Sequence, residues 1–324
     1  MIRRARTAIA GMVLALAFTP ATATTPGAGG GHAPAQGELD QATQGHRGIA
    51  TRSGLAIYEN FRAGLAEPSC PADASPRWQA HFSATPDTLA EGPDESLALF
   101  GYVVDAVRAA HLPTEYALIP FIESGYRADA RSPSGPAGLW QMITITARNH
   151  QVPIRAGYDG RLSPVDSTRA AVRYLKTLHG MFAGDWRLAA MAYNAGEHRM
   201  LGALRRSGQQ ASSVQLDELE GVPRMTRAYV AKLQALTCVL LEAHDAASWQ
   251  AAMDRPVPRL QAVELPGDVE RVREWAARHG QDAAGLRRLN PVHVEGRIVR
   301  PDGQPARLLV AAPAAVAGAH AGTL

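Results

Sequence analysis

The chain has 324 residues, 46% of them hydrophobic and 19% charged, with a formal charge of +3. That length fits one substantial domain plus a small one, and the composition excludes a disordered chain. Residues 1–23 hold three arginines and no Lys, Asp or Glu, so their removal takes the charge from +3 to 0. With no basic stripe elsewhere, no nucleic-acid partner is expected.

Arg3, Arg4 and Arg6 precede an apolar run from Ala8 to Phe18, then Pro20 and the small residues Ala21-Thr22-Ala23. Residues 1–23 read as a secretory signal peptide, which implies export. The run is too short for a confident membrane span; a retained anchor with peripheral envelope association is the alternative to release. Export permits a Cys70–Cys238 disulfide. Cys238 lies in the apolar run Ala235–Leu241 and reads equally well as a buried small hydrophobe. Residues 24–52 are rich in Gly, Ala, Thr, Pro and Gln and read as a flexible leader. The main domain is expected over 53–250, with residues 67–95 wrapping loosely over it.

From Glu95 the helical period is clear in Leu97, Phe100, Val104 and Val107. The next helix opens at Pro113-Thr114-Glu115, buries Leu118, Phe121 and Ile122, and stops at Gly125, with Pro120 expected to kink or tighten its last turn. Glu123 then sits near a helix C-terminus against apolar neighbours, and both settings raise the pKa of a carboxyl group. A Gly/Ser/Pro loop, Ser132–Gly138, delivers Trp140 and Gln141. Ser163-Pro164 opens another helix, Asp185 caps the one ending near Tyr193-Asn194-Ala195-Gly196, and a long helix runs from Thr226 to about His244. After Arg255-Pro256-Val257-Pro258 the pattern changes. A strand at 260–265, helices at 269–276 and 283–289, and a strand at 307–310 predict a small βααβ module over 258–312, followed by a flexible tail, 313–324.

The reading is a mainly α enzyme with loops lining a groove. No dinucleotide or phosphate loop and no metal-ligand spacing occurs, so no cofactor or metal is expected. Glu123 is the candidate general acid. Trp140, Gln141, Tyr193 and Asn194 are residue types that stack on sugar rings and hydrogen-bond acetamido groups, which points to glycosidic bond cleavage. Ser124 orients Glu123 or caps its helix, since no His/Asp partner suggests a serine triad. Glu197 reads as a helix-start charge.

Four motifs occur in order: Glu123-Ser124, Gly138-Leu139-Trp140-Gln141, Ala192-Tyr193-Asn194 and Tyr229-Val230. Together they resemble the family 1 lytic transglycosylases, most closely the membrane-bound transglycosylase D-like branch, over roughly Leu55 to Leu241. The resemblance implies a lysozyme-like (goose-type, SLT) helical domain acting on peptidoglycan glycan strands. It implies cleavage of the β-1,4 bond between N-acetylmuramic acid and N-acetylglucosamine without water, leaving 1,6-anhydromuramoyl ends. Glu123 would be the catalytic residue, with Ser124, Trp140, Gln141, Tyr193, Asn194 and Tyr229 as substrate contacts. Departures are Met225-Thr226 where Glu-Thr is common, Thr144-Ile145 where Pro-Ser is frequent, and Ser163 where an acid is common. The βααβ tail resembles a degenerate LysM module, a type that binds N-acetylglucosamine-containing glycans. It is expected to aid retention on glycan, so that a chain ending near Arg255 still cleaves. Two rival readings remain. A lysozyme-like hydrolase needs a second carboxylate to position water, with Asp129, Asp159 or Asp166 as candidates. A non-catalytic glycan-binding protein would not need Glu123.

Overall fold

The computed structural model describes residues 48–301 and 304–314. The predicted signal peptide, residues 24–47 of the predicted leader and residues 315–324 of the tail lie outside the described residues. Chain pairing begins inside the stretch read as leader. Ile49 bridges Pro313, and Thr51–Ser53 (β1) pairs antiparallel with Pro256–Pro258. The leader boundary at 52 is therefore too late and the tail boundary at 313 too early. The backbone groups of these segments satisfy one another, with Ala50 N donating to Ala312 O at 2.8 Å and Arg259 N to Ala50 O at 2.8 Å.

Ser53 accepts from Leu55 N and starts Gly54–Arg62 (α1). Residues 67–95, read as a loose wrap, instead contain Pro76–Phe82 (α2) and Thr85–Glu91 (α3). Each carries a proline in its first turn, where the missing N–H costs nothing. Asp94–Ala109 (α4) follows as expected and buries Leu97, Phe100, Val104 and Val107. The predicted helix from Pro113 divides in two. Thr114–Leu118 is a 3₁₀ turn, and Ile119–Glu123 (α5) is a short α segment with Pro120 in its first turn. Pro120 starts this helix rather than kinking it.

Thr144–Asn149 (α6) and a small hairpin, Ile154–Arg155 (β2) with Tyr158–Asp159 (β3), lead into Pro164–Met181 (α7). The Ser163 hydroxyl caps α7 by accepting from Asp166 N, and Asp185 caps Trp186–Ala195 (α8) by accepting from Arg187 N and Leu188 N. Such caps are worth about 1 kcal/mol each. Glu197–Arg206 (α9), Arg224–His244 (α10) and Ala247–Met253 (α11) complete the helical part. Helix α10 packs against α2, α3, α5, α8 and α11, while α4 packs against α1 and α7. The Cys70–Cys238 disulfide is formed, with a Cα–Cα distance of 5.0 Å. Both sequence readings of Cys238 hold at once, because it is also fully buried on α10.

Pro256–Pro258 (β4), Leu260–Glu264 (β5), Val272–Arg278 (α12), Ala283–Leu289 (α13) and Arg307–Ala311 (β6) have the expected βααβ order after β4. Strands β5 and β6 are antiparallel neighbours, Leu260 opposite Ala311. The module has its own core around Val272, Trp275, Leu286, Leu308 and Val310. Leu309, facing the other way by the period of two, joins the core of the helical part together with Leu289. Burying one such side chain stabilises by about 1.5–3 kcal/mol. Among the described residues no helix is long and apolar enough to cross a membrane.

Candidate active site

Glu123 is the last residue of α5. The chain turns away immediately: Gly125 and Tyr126 both lie in the left-handed region, at φ 61° and 60°. Glycine takes that conformation without cost, and Tyr126 is held in it by its own contacts. Its hydroxyl donates to Ala117 O at 2.8 Å, and its ring packs on Phe121 at 4.4 Å between centroids. The turn therefore presents Glu123 at the edge of an apolar cluster.

Ser124 is 8% exposed, and its hydroxyl donates to Leu139 O at 2.8 Å. It ties the Glu123 turn to the Gly-Leu-Trp-Gln segment and is not among the residues lining the groove around Glu123, which fits the orienting role expected of it better than a substrate contact. Trp140 is 0% exposed, with Nε1 donating to Thr168 Oγ1 at 3.0 Å. It too is core rather than a sugar platform, because its indole N–H finds a partner inside. The glycine before this segment has a steric reason. A Cβ on Gly138 would lie 1.7 Å from Arg161 O.

The remaining candidates come together. Glu123, Gln141, Tyr193 and Asn194 line one groove of about 410 Å³, with Met142, Ile143, Thr146, Tyr174 and Glu197. Gln141 occupies φ 44°, and its amide nitrogen is spent on Gly138 O at 2.9 Å and Ala130 O at 3.2 Å. Its side-chain oxygen makes no hydrogen bond within the described residues. Tyr193 donates its hydroxyl to Trp140 O at 2.8 Å, leaving its ring as groove wall. Asn194 is exposed. Tyr229, on α10, donates to Glu123 Oε1 at 2.7 Å.

Burial pushes the Glu123 carboxyl above the ordinary carboxylate range, while the Tyr229 hydrogen bond and the Lys232 charge pull it partly back. Burial and the nearby Glu123 raise Tyr229 well above its ordinary value, so it stays a donor. The expected causes for Glu123 were burial and a helix dipole; burial dominates, and a five-residue helix supplies little dipole.

Three groups near the groove were not among the site residues expected from the sequence. Lys232 follows Tyr229 by three residues on α10, a spacing that puts both on one face. Its ammonium sits 4.7 Å over the Trp78 ring. Tyr174 and Glu197 form a pair on the groove wall, the tyrosine hydroxyl donating to Glu197 Oε2 at 2.8 Å. Glu197 does start α9 as expected, yet it faces the groove. Its own backbone N–H and the Tyr174 hydroxyl hold its carboxyl below the usual range.

The carboxylates proposed for a hydrolase do not line this groove. Asp129 faces another cleft, Asp159 is bound by Arg161 at 2.8 Å, and Asp166 accepts from Tyr158 at 2.7 Å and Arg307 at 3.2 Å. Met225, the departure from the family pattern, is 76% exposed.

Residues 104–216 match the family model described as the Transglycosylase SLT domain. Membrane-bound lytic murein transglycosylase D of Escherichia coli (strain K12) is 35% identical over 139 residues, covering 43% of this chain and 30% of that protein. A protein named for tributyltin chloride resistance in Alteromonas sp. (strain M-1) is 42% identical over 111 residues, covering 34% of this chain and 54% of that one. This chain thus spans about a third and about half of the lengths of these relatives. Among solved structures, an inactive mutant of the lytic transglycosylase Slt from Pseudomonas aeruginosa has 25% identity and a TM-score of 0.36 over 44% of this chain and 24% of its own, too slight a likeness to argue from. The family match and the relatives bear out the resemblance to the lytic transglycosylases over residues 104–216, the part that matches the Transglycosylase SLT domain.

Proposed function

We propose that this protein is a peptidoglycan lytic transglycosylase of the bacterial cell envelope, with Glu123 as its single general acid and base. The observation that carries the reading is Glu123 half-buried in a groove, its carboxyl pushed up by burial and hydrogen-bonded by Tyr229. A carboxyl pushed up in this way holds its proton to higher pH than an exposed carboxylate does, which suits it to protonate a leaving glycosidic oxygen. The acetamido oxygen of N-acetylmuramic acid supplies the second nucleophile that a lone carboxylate lacks and stabilises the developing positive charge at C1. Glu123, now ionised, takes the proton of the muramic C6 hydroxyl as that oxygen bonds to C1. The product is a 1,6-anhydro end, and no water is consumed. Gln141 and Asn194 are the polar groups at hand to hold the acetamido groups, and the Tyr193 ring forms the wall beside them.

One observation favours a second reading. Glu197 is a low-pKa carboxylate in the same groove, and a hydrolase needs such a group to position water. Digestion of purified peptidoglycan in ¹⁸O-water separates the two. The transglycosylase leaves new muramoyl ends unlabelled, whereas stoichiometric ¹⁸O at C1 overturns it in favour of the hydrolase. Glu123→Gln is expected to keep the fold and lose nearly all release of soluble fragments; activity within a few-fold of the unmodified protein rejects Glu123 in either mechanism.

A further inference from the structure

A second pocket, of about 200 Å³, lies between α7 and β6 and is lined by Gln151, Asp166, Arg169, Arg173, Gln304 and Arg307. Three guanidinium groups face one carboxylate there, and that carboxylate is already occupied. Asp166 accepts from Arg307 at 3.2 Å and from Tyr158 at 2.7 Å. Arg173 donates to the His150 carbonyl. Arg169 makes no ion pair or hydrogen bond among the described residues, and it lies one helical turn from Arg173 and three residues from Asp166. Clustered guanidinium groups repel one another, and an anion placed among them removes that repulsion while accepting forked hydrogen bonds. The amides of Gln151 and Gln304 add uncharged donors at the rim.

The pocket is a neighbour of the Glu123 groove. Arg173 lines the pocket, and the next residue, Tyr174, lines the groove. Successive helical residues point about 100° apart, so the two sites occupy adjoining flanks of α7. The ridge between them is the His150–Tyr174 ring pair, 4.6 Å between centroids. A chain branching from a glycan strand in the groove and crossing that ridge arrives at the arginines.

We propose that this three-arginine pocket binds a carboxylate of the peptide stem carried by the muramoyl residues, so that the enzyme distinguishes stem-bearing strands from bare ones. The identity of the ligand rests on the peptidoglycan reading above. The groove alone offers recognition of sugars, which every strand shares; the pocket adds recognition of the branch.

The test uses the full chain and the variant Arg169→Gln, an exposed position whose change leaves the core intact. A free stem tripeptide, L-alanyl-γ-D-glutamyl-diaminopimelate, is titrated against both proteins by calorimetry, with inorganic phosphate as a separate probe. Turnover is measured on stem-bearing strands and on strands stripped of peptide by an amidase. The expected result is tripeptide binding that Arg169→Gln weakens about tenfold or more, as for loss of a charge-assisted hydrogen bond. KM on stem-bearing strands rises by a similar factor with kcat unchanged, stripped strands are unaffected, and Arg169→Lys restores part of the loss. Equal loss on both substrates, no loss on either, or absence of tripeptide binding overturns the proposal. Phosphate binding tighter than the tripeptide overturns it as well, and reassigns the pocket to a phosphate ligand. If the unmodified protein cleaves neither substrate, the transglycosylase reading fails, while the tripeptide titration still decides the pocket.

Discussion

In the proposed reaction Glu123 acts in two states, protonated when the glycosidic bond breaks and ionised when the muramic hydroxyl attacks. Burial against the Phe121–Tyr126 cluster favours the first state, and the Tyr229 hydroxyl and Lys232 ammonium keep the second within reach. Tyr229→Phe removes a donor that stabilises only the ionised form. The pKa of Glu123 therefore rises, the acid stays protonated to higher pH, and the alkaline limb of the pH–rate profile moves up. The maximal rate falls about ten- to a hundredfold, the worth of one hydrogen bond to a charged group. A limb that stays in place or moves down contradicts this role for Tyr229. At this scale the meeting of Glu123, Gln141, Tyr193 and Asn194 in one groove was legible because short motifs marked them. The burial of Trp140 and Ser124 was not legible, because a motif reports that a side chain matters, not whether it faces inward. Glu197 was legible only as a helix start; its direction depends on the corner at Gly196, with φ 91°, which joins α8 to α9.

Helix α10 carries Tyr229 and Lys232 at one end and Cys238 two turns further along. The Cys70–Cys238 disulfide fastens the segment ahead of α2 to this helix, and α2 supplies Trp78 beneath Lys232. Two contacts from one segment therefore hold the helix that aims at Glu123. The bond closes a loop with a sequence separation of 168 residues, long enough to constrain the unfolded chain strongly. Cys70→Ser is expected to cost about 2–5 kcal/mol in denaturant unfolding under oxidising conditions. Added reductant should bring the unmodified protein to the same stability; a variant as stable as the oxidised parent refutes the account. The caps at Ser163 and Asp185 and the run of α4 were readable because side chain and period both signal them. Helices α2 and α3 were not, since seven residues give too short a window for a period. The signal that was available is the proline in the first turn of each, a helix-start residue.

The βααβ segment was expected to be a detachable appendage, and the structure makes it part of one body. Strand β4 pairs with β1, Leu309 and Leu289 enter the helical core, and Arg307 reaches Asp166 on α7. The element order was legible from the period of each piece, but the second buried face of β6 was not, because alternation cannot tell two cores from one core and solvent. Asn290 holds this junction. It is 1% exposed, its side-chain oxygen accepts from Leu309 N at 2.7 Å, and its nitrogen donates to Leu309 O at 2.8 Å. It thus pairs α13 to β6 as a neighbouring strand would. Asn290→Ala leaves a buried N–H and C=O without partners, at about 1–3 kcal/mol each. If the module were independent, that variant would melt in two steps, with fragment release from peptidoglycan untouched after the first. Because Leu309 belongs to the core that also packs Trp140, a single transition at lower denaturant is expected, with activity lost along the same curve. For the same reason a chain ending at Arg255 should lose stability and activity together, rather than keep cleaving as the sequence suggested. Its β1 loses its partner, and the pocket of Val257, now fully buried, is left open beside Leu97 and Gly54. A truncated chain that remains folded and fully active would restore the appendage view.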